Sequence, residues 1–436
     1  MNTARCKRLN VTRCWRWGLQ WVAWAACGWP CALLAQTSDQ TPIHTQHHKT
    51  GRLHNFPEPP ERTPAAVTDP RHNVTDGAVL QQRMALLQRA EAQLVLGDSL
   101  AAIDNFDRAA MLLHAPDTEM GLVRAYMQAG EYRRALAFCA HAAGAHREAA
   151  APGALYAWLL QAGGQADFAQ RTLTEALSRH PEHAVLLQTK AKLASAQPVA
   201  SHLLLDTPHR LAPFSVMQAA QAEPPATANV VASGVLLASG QRALVPLAAV
   251  RDGATLWLRN GLGHTTQAVE VQRLDALGLA LLRLTVALPL GQKIDQQTDG
   301  NHALPAATQD PFAGSPGYVV AHSASPVSQA AWPWLHAGFH GAVTQRGERL
   351  LGIDVPSASS GGLVLDAAGR WVGVALSDAQ GRARLTPISS LRAALPASEF
   401  SEAAASMSGT STALMPADVA YERTLRFSLQ VIAHAP

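Results

Sequence analysis

The apolar residues of positions 76–197 recur with the period of amphipathic helices, and the pattern repeats along the chain. Three segments share one frame, beginning at Gly97, Gly130 and Gly164, which stand 33 and 34 residues apart. Glycine permits a tight turn, and small side chains let two helices pack closely. The pattern therefore predicts about three helix–turn–helix units, followed by a capping helix over 184–196. The small residues at the predicted helix contacts are Ala102, Ala109, Ala135, Ala142, Ala169 and Ala176.

Positions 229–398 change to the short period of β-strands, after a linker predicted over 198–228 that is rich in Pro and Ala. Apolar or alternating runs at 230–238, 254–258 and 371–375 are separated by turn residues. Many short strands without a long helix favour a closed antiparallel β architecture. The chain is therefore predicted to be multidomain, with a helical array followed by an all-β domain.

The last segment, 416–436, is predicted as a short helix followed by a strand, after a flexible tail over 399–415. In this strand, placed at 424–432, Leu425, Phe427, Leu429 and Val431 alternate with polar residues. A strict period of two indicates a strand with one buried face.

Positions 1–35 combine a basic start, an apolar stretch and a small residue before Gln36, which is typical of a secretory signal peptide. This predicts an exported, periplasmic protein. An uncleaved inner-membrane anchor and a lipoprotein are the alternatives. Positions 36–75 are rich in Thr, Pro, His and Gln and are predicted to be a disordered linker.

Charge and cysteine content narrow the function classes. The formal charge is +3, and it falls to −2 once the five basic residues of the signal are left out. Neither this balance nor any basic run predicts nucleic-acid binding, and no membrane contact is expected beyond the signal. Cys139 is the one cysteine outside positions 1–35. We therefore expect no internal disulfide, no cysteine zinc site, no metal and no cofactor.

The helical region resembles the tetratricopeptide repeat, which has glycine at its turn and alanines where its helices touch. The resemblance implies an α-helical solenoid that binds a protein or peptide on its concave face. Trp158 is either an anchor for that peptide or part of a helix seam, and the oligomeric state stays open. The residues that the resemblance places on this face are Glu91, Arg124, Met127, Gln128, Trp158 and Gln161.

The β region resembles the periplasmic high-temperature-requirement (Deg-type) serine proteases, a trypsin-like family with two packed barrels. Four stretches carry the resemblance, at 232–245, 279–284, 360–374 and 385–395. Relative to that family the region lacks an opening strand. We therefore predict that 424–432 returns to the first barrel and supplies this strand, as a circular permutation. The competing segment is 213–217.

The triad that the resemblance implies is degenerate. Ser360 stands at the nucleophile position, whereas Ala248 stands at the position of the histidine and Gly278 at that of the aspartate. Asp275 is three residues too early to replace the aspartate, and Ala358 replaces the glycine of the oxyanion turn. Ser360 is therefore predicted to be a vestigial nucleophile. The remaining histidines of the region, expected on its surface or loops, are His264, His302, His322, His336 and His340.

These patterns predict a non-catalytic exported scaffold that joins a tetratricopeptide-type array to an inactive trypsin-like domain. Two alternatives remain open. One is a weak or atypical serine hydrolase that uses Ser360 with a different base. The other is an inactive subunit that regulates an active protease relative.

Overall fold

The computed structural model describes residues 77–194, 223–290, 304–378, 380–402 and 414–434. All of them belong to one compact unit, Val67–Pro436. The predicted signal, the 36–75 linker and the 213–217 segment lie outside the described residues. Among the described residues, no helix is both long and apolar enough to cross a membrane.

Seven helices at the start of this unit form three antiparallel pairs and a final helix, in which each helix packs against the next. The glycine between the members of each pair adopts a left-handed conformation, with φ of 77° at Gly97, 79° at Gly130 and 80° at Gly164. The repeated glycines thus mark the turns that the sequence predicts. The helices are α1 Gly77–Leu96, α2 Ser99–Leu112, α3 Pro116–Ala129, α4 Tyr132–Ala145, α5 Ala150–Ala162, α6 Ala166–Arg179 and α7 Ala184–Leu193.

Six strands form the first barrel, closed in the order β1-β14-β3-β4-β5-β2. The C-terminal strand lies between β1 and β3, antiparallel to both, so that Val431 stands opposite Ala232 on one side and Leu258 on the other. The C-terminal segment therefore supplies a strand without which this barrel would be open. The strands are β1 Asn229–Leu236, β2 Arg242–Pro246, β3 Thr255–Asn260, β4 Thr265–Leu274, β5 Leu279–Leu284 and β14 Ser428–His434.

Six further strands form the second barrel, in the order β10-β7-β8-β9-β12-β11, and the pairing of β10 with β11 closes it. Two short strands, β6 and β13, extend the β11 edge in parallel. The remaining strands are β6 Pro305–Ala306, β7 Pro316–Ala321, β8 Trp334–Val343, β9 Arg349–Gly352, β10 Gly362–Asp366, β11 Trp371–Ser377, β12 Ala383–Pro387 and β13 Ser401–Glu402.

The C-terminal boundaries differ from those predicted. Helix α8 (Ile388–Ala394) precedes a segment in which Phe400 stacks on Trp371 at 5.6 Å between ring centroids. Residues 399–402 are therefore structured, although the sequence predicts a flexible tail there. Helix α9 (Ala417–Thr424) extends to Thr424, so the last strand begins at Ser428 and not at 424.

Candidate functional site

The turn that carries Ser360 enters β10 from a 3₁₀ turn over Ser357–Ser359. The Ser360 carbonyl accepts a hydrogen bond from the Ser233 amide at 2.8 Å. Gly361 has φ of +95°, and a Cβ atom there would lie 2.0 Å from the Ser233 carbonyl oxygen. Only glycine fits this position, because both the conformation and the close approach exclude a side chain. Gly361 is thus required for the packing of β1 against the turn.

The Ser360 hydroxyl is held by the main chain. Its Oγ accepts a hydrogen bond from the Ser377 amide at 3.2 Å. Within the described ranges, this backbone group is the hydrogen-bond partner of the Ser360 side chain. A serine nucleophile needs a base within about 2.6–3.2 Å to take its proton. A backbone N–H donates a proton and cannot perform this role.

Two segments border the serine turn. The Pro246 ring, at the end of β2, would lie 2.7 Å from a Cβ atom on Gly361. A 3₁₀ turn with Ala248 at its centre follows directly, and the Leu247 amide donates to the Gly278 carbonyl at 2.9 Å. The segments that carry Ala248, Gly278 and Ser360 therefore lie at one corner of the barrels. Ala248 offers only a methyl group there and Gly278 only a hydrogen atom.

Asp275 lies near this corner in sequence but is turned toward solvent. Its carboxylate is 73% exposed and lies 3.7 Å from Arg273 Nε. The Gly278 position has an Arg384 guanidinium nitrogen 3.5 Å from where a Cβ would stand. A cation there would oppose a positive imidazolium, whereas the acid of a triad stabilises it.

The histidines of the β region are more buried than the sequence predicts. His264, His322 and His340 are each at most 5% exposed, and His302 lies outside the described residues. His264 and His322 lie in connections between strands, as expected, but their side chains are buried there; the expectation of a surface or loop position is wrong for His340, which is buried within β8. His336, the fifth histidine, is also only partly exposed.

His322 contacts the strand that packs against the serine turn, since its amide donates to Ser233 Oγ at 3.2 Å. Its Nε2 faces the Ser428 carbonyl oxygen at 3.4 Å, away from the Ser360 hydroxyl. Desolvation lowers the pKa of His322 to about 3, against the opposing effect of the Ser428 hydrogen bond. His322 is therefore neutral at pH 7 but has no contact through which it could serve Ser360.

The predicted partner-binding residues of the helical region are used within the chain. Arg124 is 4% exposed and forms a bidentate ion pair with Glu91, which joins α3 to α1. Met127 is fully buried and Gln128 is 8% exposed. Gln161 is partly exposed. Most of this predicted face is therefore interior.

Trp158 packs against the β region. It is 2% exposed, and its ring meets that of Trp332 edge to face at 6.1 Å between centroids. The indole thus connects α5 to the segment that leads into β8. The sequence leaves Trp158 either as an anchor for a peptide or as a packing residue, and this contact is a packing contact.

Replacing Trp158 with alanine should lower the free energy of unfolding by about 3 kcal/mol, because the change removes a buried ring from a close-packed contact. Denaturant unfolding followed by circular dichroism measures the loss. Replacing the exposed Phe168, on the neighbouring helix, with alanine provides the control and should change stability little. Equal stability of the Trp158 variant and the parent would contradict the packing role.

A second contact between helices and barrels involves two tyrosines. The rings of Tyr132 and Tyr421 meet at 4.6 Å between centroids, and the Tyr421 hydroxyl donates to the Pro333 carbonyl at 2.8 Å.

Two of the glycines at the helix turns also pack against the β region. A Cβ on Gly130 would lie 2.6 Å from Leu262, and one on Gly164 would lie 2.3 Å from Leu335. Sequence reasoning assigned these glycines to turns alone and missed their role in docking.

Solved structures of other proteins are similar in fold to part of this chain. No family model matches the chain, and no curated protein matches it. The apo protease domain of MamO from Magnetospirillum magneticum is 15% identical, with 40% of this chain and 92% of that one covered and a TM-score of 0.30. The serine endoprotease from Yersinia pestis is 18% identical, with 41% of this chain and 64% of that one covered and a TM-score of 0.29. The chain is thus similar to serine protease structures over about two fifths of its length.

Proposed function

We propose that the chain is a non-catalytic exported scaffold, in which a tetratricopeptide-type array is joined to a degenerate trypsin-like domain. The observation that carries this proposal is the set of groups around the Ser360 hydroxyl. Its hydroxyl accepts from the Ser377 amide, while Ala248 and Gly278 border the same corner. Loss of the base of a serine triad lowers kcat by about 10⁶-fold in subtilisin.

The repeat assignment rests on geometry as well as spacing. The three left-handed turn glycines recur in the sequence frame, and the alanines of that frame lie in helix contacts. Each unit contacts its neighbours in order, as a solenoid does. The six frame alanines are at most 2% exposed, namely Ala102, Ala109, Ala135, Ala142, Ala169 and Ala176.

The way in which the helical array and the barrels are joined supports the proposed scaffold role. Besides the aromatic contacts of Trp158 and Tyr132, the Arg133 amide donates to Glu422 Oε2 at 2.7 Å. Arg133 Nε donates to Asp418 Oδ2 at 3.2 Å. These bonds connect α4 to α9, the helix that introduces the last strand of the first barrel. We infer that array and barrels present one fixed surface to a protein or peptide partner.

Export rests on the sequence of positions 1–35, which has the basic and apolar segments of a secretory signal. We place the mature protein in the periplasm on this basis.

The enzymatic side of the proposal is tested by turnover. The full chain and Ser360→Ala should both hydrolyse casein and fluorogenic peptides at the rate of buffer alone. A matched substitution at Ser323, which lies beside the turn, controls for effects on folding. Hydrolysis by the parent that Ser360→Ala abolishes and Ser323→Ala leaves intact would overturn the proposal in favour of an atypical serine hydrolase.

A further inference from the structure

Four metal-binding side chains meet where two neighbouring units of the helical array join. His114 lies in the connection between α2 and α3, and Glu119 in the first turns of α3. His141 lies on α4, and His146 is the residue at which α4 ends. Four residues from three parts of the chain, namely the α2–α3 connection, α3 and α4, thus contribute to one cluster.

The ligand atoms of His114, Glu119 and His146 all lie within 4.8 Å of one another, and His141 lies beside this group. His141 Nε2 lies 3.3 Å from Glu119 Oε1 and 3.4 Å from His114 Nε2. His146 Nε2 lies 3.4 Å from Glu119 Oε2. Ligands about 2.0–2.1 Å from a tetrahedral Zn²⁺ stand about 3.3–3.4 Å apart. The one shorter separation, 2.6 Å between His114 Nε2 and Glu119 Oε1, is a hydrogen bond.

Two of the four side chains are buried with polar atoms that lack a hydrogen bond. Glu119 is 4% exposed and His146 is 8% exposed. Among the residues that the structure describes, neither Glu119 Oε2 nor His146 Nε2 has a hydrogen-bond partner, and the two atoms lie 3.4 Å apart. Burying such atoms without a partner is costly, so something else should offset that cost. A cation bound by both atoms would do so.

The outer contacts also fit a metal ligand. His146 Nδ1 lies 3.4 Å from Glu148 Oε1, which leaves Nε2 directed into the cluster. Metal-binding histidines generally direct their second nitrogen to a carboxylate or carbonyl, which fixes the ring and its tautomer. His141 is 59% exposed and provides the open side through which an ion would enter.

The helical repeat itself does not require this set of residues. One unit further along, 34 residues on, the same positions are held by Glu148, Gly153, Glu175 and His180. Of these, only His180 is a histidine, and its Nε2 faces the Arg147 carbonyl at 2.9 Å. Helices α5 and α6 fold with this different set, so the cluster at the first junction is not explained by the needs of the fold.

We propose that His114, Glu119, His141 and His146 bind one transition-metal ion of the Zn²⁺ class. Three imidazole nitrogens and the Glu119 carboxylate, whose Oε1 faces His114 and His141 and whose Oε2 faces His146, would supply a four-coordinate shell of the structural type. Binding needs the His114 imidazole in the tautomer that carries its proton on Nδ1, so that Nε2, which faces Glu119 Oε1 at 2.6 Å, is free to bind the ion. The ion joins α3, α4 and the α2–α3 connection, and so locks the first two units of the array together.

The test is a Zn²⁺ titration of the full chain, made without a histidine tag and stripped with chelator, followed by isothermal calorimetry. We expect one tight site per chain above the weak background of the histidines at 36–75. Glu119→Gln and His146→Ala should weaken this site by about 100-fold, and the exposed His141→Ala by at least about 10-fold. His180→Ala, at the matching position of the next unit, should leave the affinity unchanged.

Cobalt absorption provides a second readout that does not depend on affinity. Co²⁺ in this shell should give the intense visible bands of a tetrahedral ion, and His141→Ala should weaken or shift them. His141 is mostly exposed, so its variant folds even if Glu119→Gln does not; circular dichroism checks both. A parent chain without a tight site, or an isotherm and a Co²⁺ spectrum that His141→Ala leaves unchanged, would overturn the proposal.

Discussion

A chain that ends at Ser408 should fail to form the first barrel. The truncation removes α9 and β14, so that β1 and β3 each lose the strand that lies between them. It also removes Leu429, Val431 and Ile432, all fully buried. Burial of each such side chain contributes about 1.5–3 kcal/mol. Their sum alone is comparable with the whole stability of an ordinary domain, about 5–15 kcal/mol.

Thermal unfolding of the purified chains measures this effect, with near-ultraviolet circular dichroism as a probe of tertiary packing. A chain ending at His434 retains β14 and should unfold like the parent. The chain ending at Ser408 should be insoluble or lack a cooperative transition for the barrels. The same melting temperature for both truncations would contradict the closure of the barrel by the C-terminal strand.

Acid should destabilise the protein strongly between about pH 6.5 and pH 4. Desolvation lowers the pKa of His322 to about 3 and the pKa values of His264 and His336 to about 4. Nearby Arg259 and Arg426 lower the first two further, whereas Asp354 opposes the shift of His336. Unfolded histidine titrates near pH 6.5, so the unfolded chain binds more protons across this window. Stability is therefore complete above about pH 6.5 and falls as the pH drops.

Each of these three histidines should lower the free energy of unfolding by about 2 kcal/mol at pH 5, or about 6 kcal/mol together. Denaturant unfolding at pH 7.5 and pH 5 measures this difference. In His322→Gln, whose amide can still donate to the Ser428 carbonyl, the difference in stability between the two pH values should be smaller by about one third. His183→Gln, at an exposed position, serves as the control. A His322→Gln chain with the full acid sensitivity of the parent would show that His322 is not the source.

Local pattern was enough to predict the helices and strands because it reports the environment of each residue directly. Gly97, Gly130 and Gly164 recur at the turns, since a left-handed turn between two helices favours glycine. The alternation through Leu429 and Val431 likewise predicted the C-terminal strand, because a period of two marks a strand with one buried face. Its start was predicted too early because Leu425 and Phe427 are also buried, although they lie in the turn between α9 and the strand.

Contacts between distant segments could not be predicted in this way. Trp158 meets Trp332 only after the array has docked on the barrels, and no local pattern encodes that meeting. Glu91 and Arg124 were placed on a binding face by the repeat frame, yet they pair with each other across α1 and α3. The cluster of Glu119 with His146 escaped notice for a similar reason, since its ligands are spread over 33 positions, from 114 to 146.

The surroundings of Ser360 could be predicted only in part from the resemblance. The segments that carry Ala248, Gly278 and Ser360 come together through the Leu247–Gly278 hydrogen bond and the close approach of Pro246 to Gly361. The sequence could not reveal that the Ser360 hydroxyl accepts from the Ser377 amide. That bond depends on the exact packing of β11 beside the turn.

The reactivity of Ser360 toward a fluorophosphonate probe tests the central claim most directly, because this probe reacts with a serine that has an activating base. The full chain should show no labelling above that of Ser360→Ala, at any pH at which the protein is folded. An active trypsin-like protease labelled in parallel confirms that the probe is competent. Stoichiometric labelling of the parent that Ser360→Ala abolishes would contradict the account.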